Sequence, residues 1–442
     1  KITMAANVEE GRGLTGSSAD AKLAAQIEQF SFRNYTYENV VFSGQLNAKL
    51  FNGELSFNDD NLAFDFSGSL DYTGETPQVD IDLDQERIRL KALNLIEKDW
   101  TLSGNMVIDA SLPENNISKA LGSILINDFS IEDPNYKQEI ESIKIYSRKV
   151  NARRTLTVLG GIFDLEVLGE YEPSALVNSI GQYTREYFPQ YVDILNLPSS
   201  SDSLSINSMT YQFNIENSGD LTRFFDQKLD TLKEVKLRGA FSDSTDIFTA
   251  YLNTNYVLYD SIAFSDIAFN AAFEQESGEV GLLVNGTTLK NGMTFDQVSV
   301  LANMKGENIN YQLGYDAPHH PTHNINIKGV LQPYDSTLYQ LSVSPEDLML
   351  FGRSWEVDEE NFFRFGGGEF ITNRFQLDDT KKSRIQLDAY GQKGLNLKAE
   401  GFGLGVIDSL WDYDLLAFGG LFDFNVRADE VTDLSTLSAD IH

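Results

Sequence analysis

The sequence predicts a mainly β protein whose strands carry one apolar and one polar face. Three observations predict it. An apolar–polar alternation of period two begins near residue 35 and returns almost to the C-terminus. It is plain at Leu62, Phe64, Phe66, Gly68 and Leu70, with Ala63, Asp65, Ser67 and Ser69 between them. Successive side chains on a strand point to opposite faces, so this pattern separates a greasy face from a wet one. Next, Asn52-Gly53, Asn285-Gly286, Asn291-Gly292 and Lys305-Gly306 fall between apolar runs, where hairpin turns need positive φ. Finally, the ten prolines mostly avoid the alternating runs, as paired strands require.

Taken along the chain, residues 21–30 fit two periods: Leu23, Ile27 and Phe30 suit a helix, whereas Leu23, Ala25 and Ile27 suit a strand. The alternation returns at Leu102, Gly104, Met106, Ile108, Ala110 and Leu112, and at Ile385, Leu387, Ala389 and Gly391. Two segments break it. From Pro173, Leu176, Ile180, Tyr183 and Tyr187 are spaced by three or four up to Phe188-Pro189, which predicts an amphipathic helix over 173–190. Leu221, Phe224, Phe225, Leu229 and Leu232 predict a second helical insertion over 220–233. Between them Pro198 to Ser203 reads as a serine-rich loop. Such helices would cap a rim of the sheet or gate its interior.

A short pattern recurs: an aromatic, a spacer, a polar residue, a further residue with β-branched character, a spacer and an apolar residue. It occurs at Tyr37-Glu38-Asn39-Val40-Val41-Phe42, at Phe264-Ser265-Asp266-Ile267-Ala268-Phe269 and at Phe295-Asp296-Gln297-Val298-Ser299-Val300. Recurrence on this scale marks an array in which each unit buries its face against its neighbours. No low-complexity tract separates domains, so residues 1–442 read as one continuous β segment.

Composition narrows the function. The chain has 442 residues, 29 Phe and 19 Tyr, and no cysteine, which removes disulfides, thiol nucleophiles and thiolate metal sites. No apolar run reaches the ~18 residues of a spanning helix. The start at Lys1, without Met, suggests a processed chain or an internal piece of a longer one. A formal net charge of −32 opposes nucleic-acid binding, which depends on neutralising phosphates. Basic spots at Arg148, Lys149, Arg153 and Arg154, and at Lys381, Lys382 and Arg384, read as solvated strand ends.

Reacting groups are hard to find. His319-His320-Pro321-Thr322-His323 holds three of the four histidines, yet Pro318 and Pro321 make it a loop tip rather than a zinc-binding helix. Gly366-Gly367-Gly368 and Gly401-Phe402-Gly403-Leu404-Gly405 lead into no phosphate-binding helix and read as bends and bulges. There is no nucleophile elbow and no calcium-loop spacing. The reading is of a non-enzymatic protein with no cofactor and no metal.

Trp355-Glu356-Val357-Asp358, Asn361-Phe362-Phe363-Arg364-Phe365, Phe370-Ile371-Thr372-Asn373 and Ile385-Gln386-Leu387-Asp388-Ala389-Tyr390-Gly391 resemble the TamB family. The stretches Tyr35 to Val40 and Leu50 to Leu55 resemble TamB-like proteins of Bacteroidota, and the likeness covers most of residues 12–405. The resemblance implies a long, curved, taco-like β-groove of the AsmA-like class, with a hydrophobic interior and a few short helical insertions. It implies a periplasmic protein that bridges the inner and outer membranes of a Gram-negative bacterium and carries phospholipid. It further implies an outer-membrane barrel partner of the TamA type and an inner-membrane anchor, neither contact being evident in this chain.

The apolar parity supplies the candidate lining for acyl chains: Phe42, Leu46, Leu62, Phe64, Phe66, Leu102, Met106 and Ile108, then Phe269, Phe273, Leu282, Val284, Ile325, Ile327, Leu387 and Leu397. Parity alone fits a dry sandwich core as well as an open groove, and favours the core; the resemblance favours the groove. The alternative function is a scaffold that offers strand edges to nascent outer-membrane β-barrel proteins. A transmembrane barrel is opposed by the helical segments and the charge between strands, and a carbohydrate-binding sandwich by the lack of aromatic clusters in loops.

Overall fold

A computed structural model describes residues 2–12, 20–47, 49–171, 208–316, 324–335, 337–373, 375–391, 393–403, 420–430 and 437–441. They are nearly all antiparallel β, in open, curled sheet, which is the fold class expected. Packing divides the chain into two compact units, a boundary no composition shift announces. One comprises residues 1–176 with 203–238, and the other 177–202 with 239–442. The helix expected at 173–190, the serine-rich loop and the histidine cluster lie outside the described residues.

In the first unit twelve strands pair in chain order, each antiparallel to the next. They are β1 (Ile2–Arg12), β2 (Asp20–Phe32), β3 (Tyr35–Asn47), β4 (Leu50–Asn58), β5 (Leu62–Asp71) and β6 (Gln78–Arg89), followed by β7 (Thr101–Ser111), β8 (Leu121–Glu132), β9 (Lys137–Val150), β10 (Arg153–Leu159), β11 (Phe163–Glu170) and β12 (Ser208–Asn217). A short helix, α1 (Leu221–Phe225), leads into β13 (Leu229–Ser242), within which the unit boundary falls. Residues 21–30 are therefore strand, the period-two reading of that stretch.

The recurring pattern is a break of parity inside strands. Tyr37 and Val40 are three residues apart, which would put them on opposite faces of a regular strand, yet both are buried and the side chains between them are exposed. Asn39 between them takes a left-handed φ of 54°. That conformation turns the strand so that the apolar residues before and after it share one face. Asn and Asp tolerate it better than other side chains. Asp266 (φ 48°) does the same between Phe264 and Ile267, and the structure adds two copies that the sequence pattern did not reveal. These are Asp128 (φ 51°) between Ile126 and Phe129, and Glu234 (φ 51°) between Leu232 and Val235. The third expected copy, Phe295 to Val300, instead breaks at Asp296 into two strands.

In the first unit these breaks line up. The level of Asn39 continues through the register shifts at Ala63/Phe64, Gln85/Ile88 and Ser103/Asn105 to Asp128. Bulges bend strands and increase their twist, so the line is a crease across the sheet. An aromatic cluster packs along it, with Phe30 and Tyr37 stacked at 4.8 Å and Phe57 and Phe64 at 4.8 Å.

The second unit starts with β14 (Ile247–Tyr259), β15 (Ile262–Glu274), β16 (Ser277–Thr288), β17 (Thr294–Phe295), β18 (Gln297–Lys305), β19 (Asn308–Asp316) and β20 (Ile325–Pro333). Both β17 and β18 pair with β16, and the others pair in order. The ladder forks at β20, which meets β21 (Tyr339–Val343) along one half and β22 (Met349–Leu350) at the other. One branch runs from β21 through β24 (Phe362–Gly366) and β25 (Glu369–Asn373). The other runs from β22 through β23 (Arg353–Val357) and β26 (Gln376–Asp379). Both rejoin at β27 (Arg384–Gly391), and β28 (Lys393–Gly403), β29 (Leu421–Glu430) and β30 (Leu437–Ile441) follow.

The fork is held by a filled core of Val343, Leu348, Leu350, Trp355, Val357, Leu377, Ala399 and Phe402. Its polar ties are explicit. The Asn361 side chain donates to the Val343 carbonyl (2.7 Å) and accepts from its N–H (2.9 Å), completing the ladder where β21 ends. The fully buried Asp379 carboxylate receives the Ser383 N–H (2.7 Å), the Lys381 N–H (2.8 Å) and the Arg353 guanidinium (3.0 Å). Burial alone would raise its pKa, but these donors outweigh burial and hold it below the usual carboxylate range.

Several expectations are corrected. The insertion at 220–233 is helical only over Leu221–Phe225: Asp226 turns the chain through its side chain to Lys228 N–H (2.9 Å), and Leu229 and Leu232 belong to β13. Asn52-Gly53 and Asn285-Gly286 lie inside β4 and β16 rather than at turns. Asn291-Gly292 and Lys305-Gly306 do turn, with φ of 86° and 57° at the glycines. Gly366-Gly367-Gly368 forms the β24–β25 turn, and Gly401 sits at a register shift between β28 and β29. Arg154 is not a solvated strand end: it is buried and donates to the carbonyls of Ser118 (3.0 Å) and Ala120 (3.1 Å).

Replacing Asp128 with Val should cost about 1–2 kcal/mol in urea unfolding, because a β-branched side chain resists the left-handed conformation, whereas Asp128→Gly should be nearly neutral. Arg353→Met should cost about 2 kcal/mol near neutral pH, since it removes a charged hydrogen bond from a buried carboxylate. A depressed folded pKa gives stability that is present above the unfolded carboxylate value and lost as pH falls through the folded one. The midpoint of acid unfolding in Arg353→Met should accordingly move to higher pH.

Candidate functional site

The registers align the apolar parity into rows that cross the strands. In the first unit one row takes a residue from each of eleven consecutive strands: Leu23, Gly44, Gly53, Gly68, Ile81, Ile108, Ile124, Ile145, Val158, Leu165 and Phe213. Beside it runs Ala25, Phe42, Leu55, Phe66, Leu83, Met106, Ile126 and Ile143. On its other side run Ala21, Leu46, Phe51, Leu70, Val79, Ala110 and Gly122, before Ser147 interrupts. At about 4.8 Å per strand the long row extends for ~50 Å. No charged side chain enters any of the three.

The middle of this floor is uncovered. Phe42, Leu55, Phe66, Leu83, Met106, Ile81, Ile108 and Ile124 are all half-buried, and Leu46 is 39% exposed. In a sandwich core such residues would be sealed. The three glycines give the floor its surface. A Cβ on Gly53 would lie 2.7 Å from the Ser43 carbonyl oxygen and 2.8 Å from the Phe51 ring, and one on Gly68 would lie 3.2 Å from the Phe66 ring. The rings of Phe42, Phe51 and Phe66 thus reach the space above the glycines of their own strands.

Over β4 to β6 the opposite face is polar and acidic, before Val107 and Leu125 continue one of its rows. Glu54, Ser67 and Asp82 form one row, and Asp65 faces Asp84 as Asp80 faces Asp109. Like charges placed directly opposite oppose pairing, so these strands are held by the floor and the backbone ladder rather than by their wet face.

Along the crease the floor is sealed. Leu93, 1% exposed, descends from the segment after β6 into Tyr37, Leu62, Phe57, Phe64 and Ile88. Asp59 fastens this rim, accepting from the Tyr35 hydroxyl, the Glu38 N–H (3.1 Å) and the Asn61 N–H (2.9 Å). Burial and the neighbouring carboxylate push the Tyr35 pKa up to about 12, so the phenol stays protonated.

The second unit repeats the arrangement. Leu252, Phe269, Leu282, Val300, Leu313 and Ile327 make one row; Ala250, Ala271, Val280, Ala302, Tyr311, Gly329 and Val343 make the next. Phe248, Phe273, Gly278, Met304, Ile309, Leu331, Leu341 and Phe363 form a third. The one phenol in the middle row, Tyr311, donates to the Ser342 carbonyl (3.1 Å), and burial raises its pKa to about 12. It therefore brings no charge to the floor. Where the ladder forks, the floor runs into the filled core.

The predicted lining residues sort accordingly. Phe42, Leu46, Phe66, Met106 and Ile108 lie on the open floor of the first unit, whereas Leu102 lies at the crease, in register with Ile88 and the buried Ile131. Leu62 and Phe64 belong to the sealed rim. Phe269, Phe273 and Leu282 lie on the half-buried floor of the second unit, whereas Val284 is buried. Ile325 and Ile327 are corrected from groove lining to wall of the packed core, because the fork folds Trp355, Val357 and Leu350 against that part of the sheet. Leu387 and Leu397 face each other across β27 and β28. Leu55, Leu83, Ile81, Ile124, Val280 and Val300 were missed, although the same alternation marks them.

The difference in cover has a measurable consequence. Met106→Asp leaves its carboxylate in reach of water and should cost only about 1–2 kcal/mol, whereas Leu62→Asp buries it in the sealed rim and should cost more than about 4 kcal/mol. Equal losses in urea unfolding would mean that the floor is a closed core. Compared with protein-family models, with curated proteins and with solved structures, the chain matches none.

Proposed function

We propose that this chain is a lipid conduit, which seats the acyl chains of phospholipids on its apolar floor and lets them pass from strand to strand. The observation that carries the reading is the uncovered, charge-free floor of the first unit, crossed by a row of eleven aligned residues. Contiguous apolar surface on this scale is costly in water and marks a place where something apolar lies.

The magnitudes suit passage rather than storage. Full burial of a methylene is worth about 0.8 kcal/mol. A chain lying on an open floor hides about half of its surface, hence about 0.4 kcal/mol per methylene. The floor therefore holds an acyl chain against water while a bilayer still binds it better, and the lipid can leave at a membrane. Equivalent neighbouring rows offer no deep pocket in which to stall. Head groups would remain in water beside the opening.

The cellular setting belongs to the same proposal and rests on the TamB resemblance: a bridge across the periplasm, with a TamA-type barrel at the outer membrane and an anchor in the inner one. The chain purified without detergent should carry phospholipid detectable by native mass spectrometry, and Phe66→Asp/Met106→Asp should reduce it at least about fivefold, given the lost apolar contact. A folded chain free of lipid would overturn the conduit and move the strand-edge scaffold ahead of it.

A further inference from the structure

One rim of the first unit carries apolar side chains that no packing explains. Phe32 is 59% exposed, Leu95 42%, Ile96 39% and Phe225 71%. They come from three separate segments, yet hydrogen bonds and ring contacts bring those segments together. The Asn94 side chain donates to the Arg33 carbonyl (3.1 Å), tying the loop after β6 to the β2–β3 turn. Lys98 Nζ donates to the Phe224 carbonyl (2.9 Å), and the Trp100 ring meets Phe224 at 6.1 Å and Phe225 at 6.4 Å, which ties the same loop to α1. Beneath, Leu93 is locked into the aromatic cluster, so the loop is anchored on its inner side and apolar on its outer side.

The charge at this rim also differs from that of the rest of the molecule. Residues 32–34, 90–99 and 220–228 carry Arg33, Lys91, Lys98, Arg223 and Lys228 against Glu97, Asp99, Asp220 and Asp226, a small positive balance in a chain of net −32. Arg33 sits 5.7 Å from the centre of the Phe32 ring and Lys98 4.6 Å from that of Trp100. Aromatic and aliphatic side chains beside cations form the composition that enters the head-group region of an anionic membrane, the apolar tips passing below the phosphates that the cations meet.

We infer that this rim docks on an anionic lipid surface, with Phe32, Leu95, Ile96 and Phe225 inserting between head groups and Arg33 and Lys91 contacting phosphate. The inference rests on the conduit reading for its purpose, since docking would bring the floor to the bilayer that supplies or receives lipid, but its geometry is independent of it.

The test is flotation of the purified chain with vesicles of phosphatidylcholine alone or with about one-third phosphatidylglycerol, a content chosen to resemble an anionic leaflet. The chain should float with the anionic vesicles and much less with the neutral ones. Ile96→Ser/Phe225→Ser should lower the bound fraction about tenfold or more, and Arg33→Gln/Lys91→Gln about fivefold per charge. Trp100 should be quenched by vesicles with brominated acyl chains, an effect lost in Trp100→Phe; this reading holds even if a rim variant folds poorly. Met106→Asp should lose co-purified lipid yet still float, which separates failure of the floor from failure of the rim. Equal binding to both vesicles, absence of bromolipid quenching, or a rim variant that changes the mass of the chain in solution instead of its flotation would overturn the inference, the last by making the rim a contact between copies.

Discussion

The arrangement depends on keeping one parity of side chains on one face while the chain reverses direction again and again. Along the floor each antiparallel pairing sets apolar residues or glycines opposite one another, and a slip of one place would carry a whole strand's apolar set into water. The side-chain rows, the acidic reverse face and the sealed rim all follow from that register. Where a strand must bend, the face is kept by breaking the parity at a cost: Asn39, Asp128, Glu234 and Asp266 take a left-handed conformation so that the apolar side chains on either side of the bend stay together.

Polar groups are placed to protect this separation. Asp59 gathers three donors at the crease, Asn361 completes a ladder that β21 leaves unfinished, and Tyr311 spends its hydroxyl on a neighbouring carbonyl. Each answers a local hydrogen-bonding demand without putting charge on the floor. Negative charge is collected on the other face, where Asp65 meets Asp84 and Asp80 meets Asp109. Such repulsion is tolerable on a solvated face, and it discourages a second sheet from stacking there.

Much of the strand content was legible in the sequence, because period-two alternation is a direct consequence of backbone geometry. Period two alone puts Phe42, Phe66, Met106 and Ile108 on one face, and the registers place them in two neighbouring rows of it. Other features were hidden for physical reasons. Asn52-Gly53 looks like a hairpin turn, but the glycine is needed because neighbouring strands and the Phe51 ring leave no room for a Cβ. Leu221 to Leu232 keeps helical spacing throughout, but the helix lasts little more than one turn before Asp226 redirects the chain into β13. The fork that seals Ile325 and Ile327 depends on pairings between residues far apart in sequence, such as Trp355 with Asp379, which a local pattern does not encode. The recurring aromatic–polar–apolar pattern was visible, yet its meaning as a change of parity required the backbone angles.

If lipid lies on one face of a single layer of strands, contact with it must alternate along each strand. The most direct measurement places a photocrosslinking amino acid, one position at a time, along Asn105 to Asp109 of β7 in chain expressed in a bacterial periplasm. Crosslinks to phospholipid at Met106 and Ile108, and none at Asn105, Val107 or Asp109, are the predicted result: an alternation of period two matching the strand. Crosslinking without that period, or crosslinks at Met106 and Ile108 only to other parts of the chain, would contradict it.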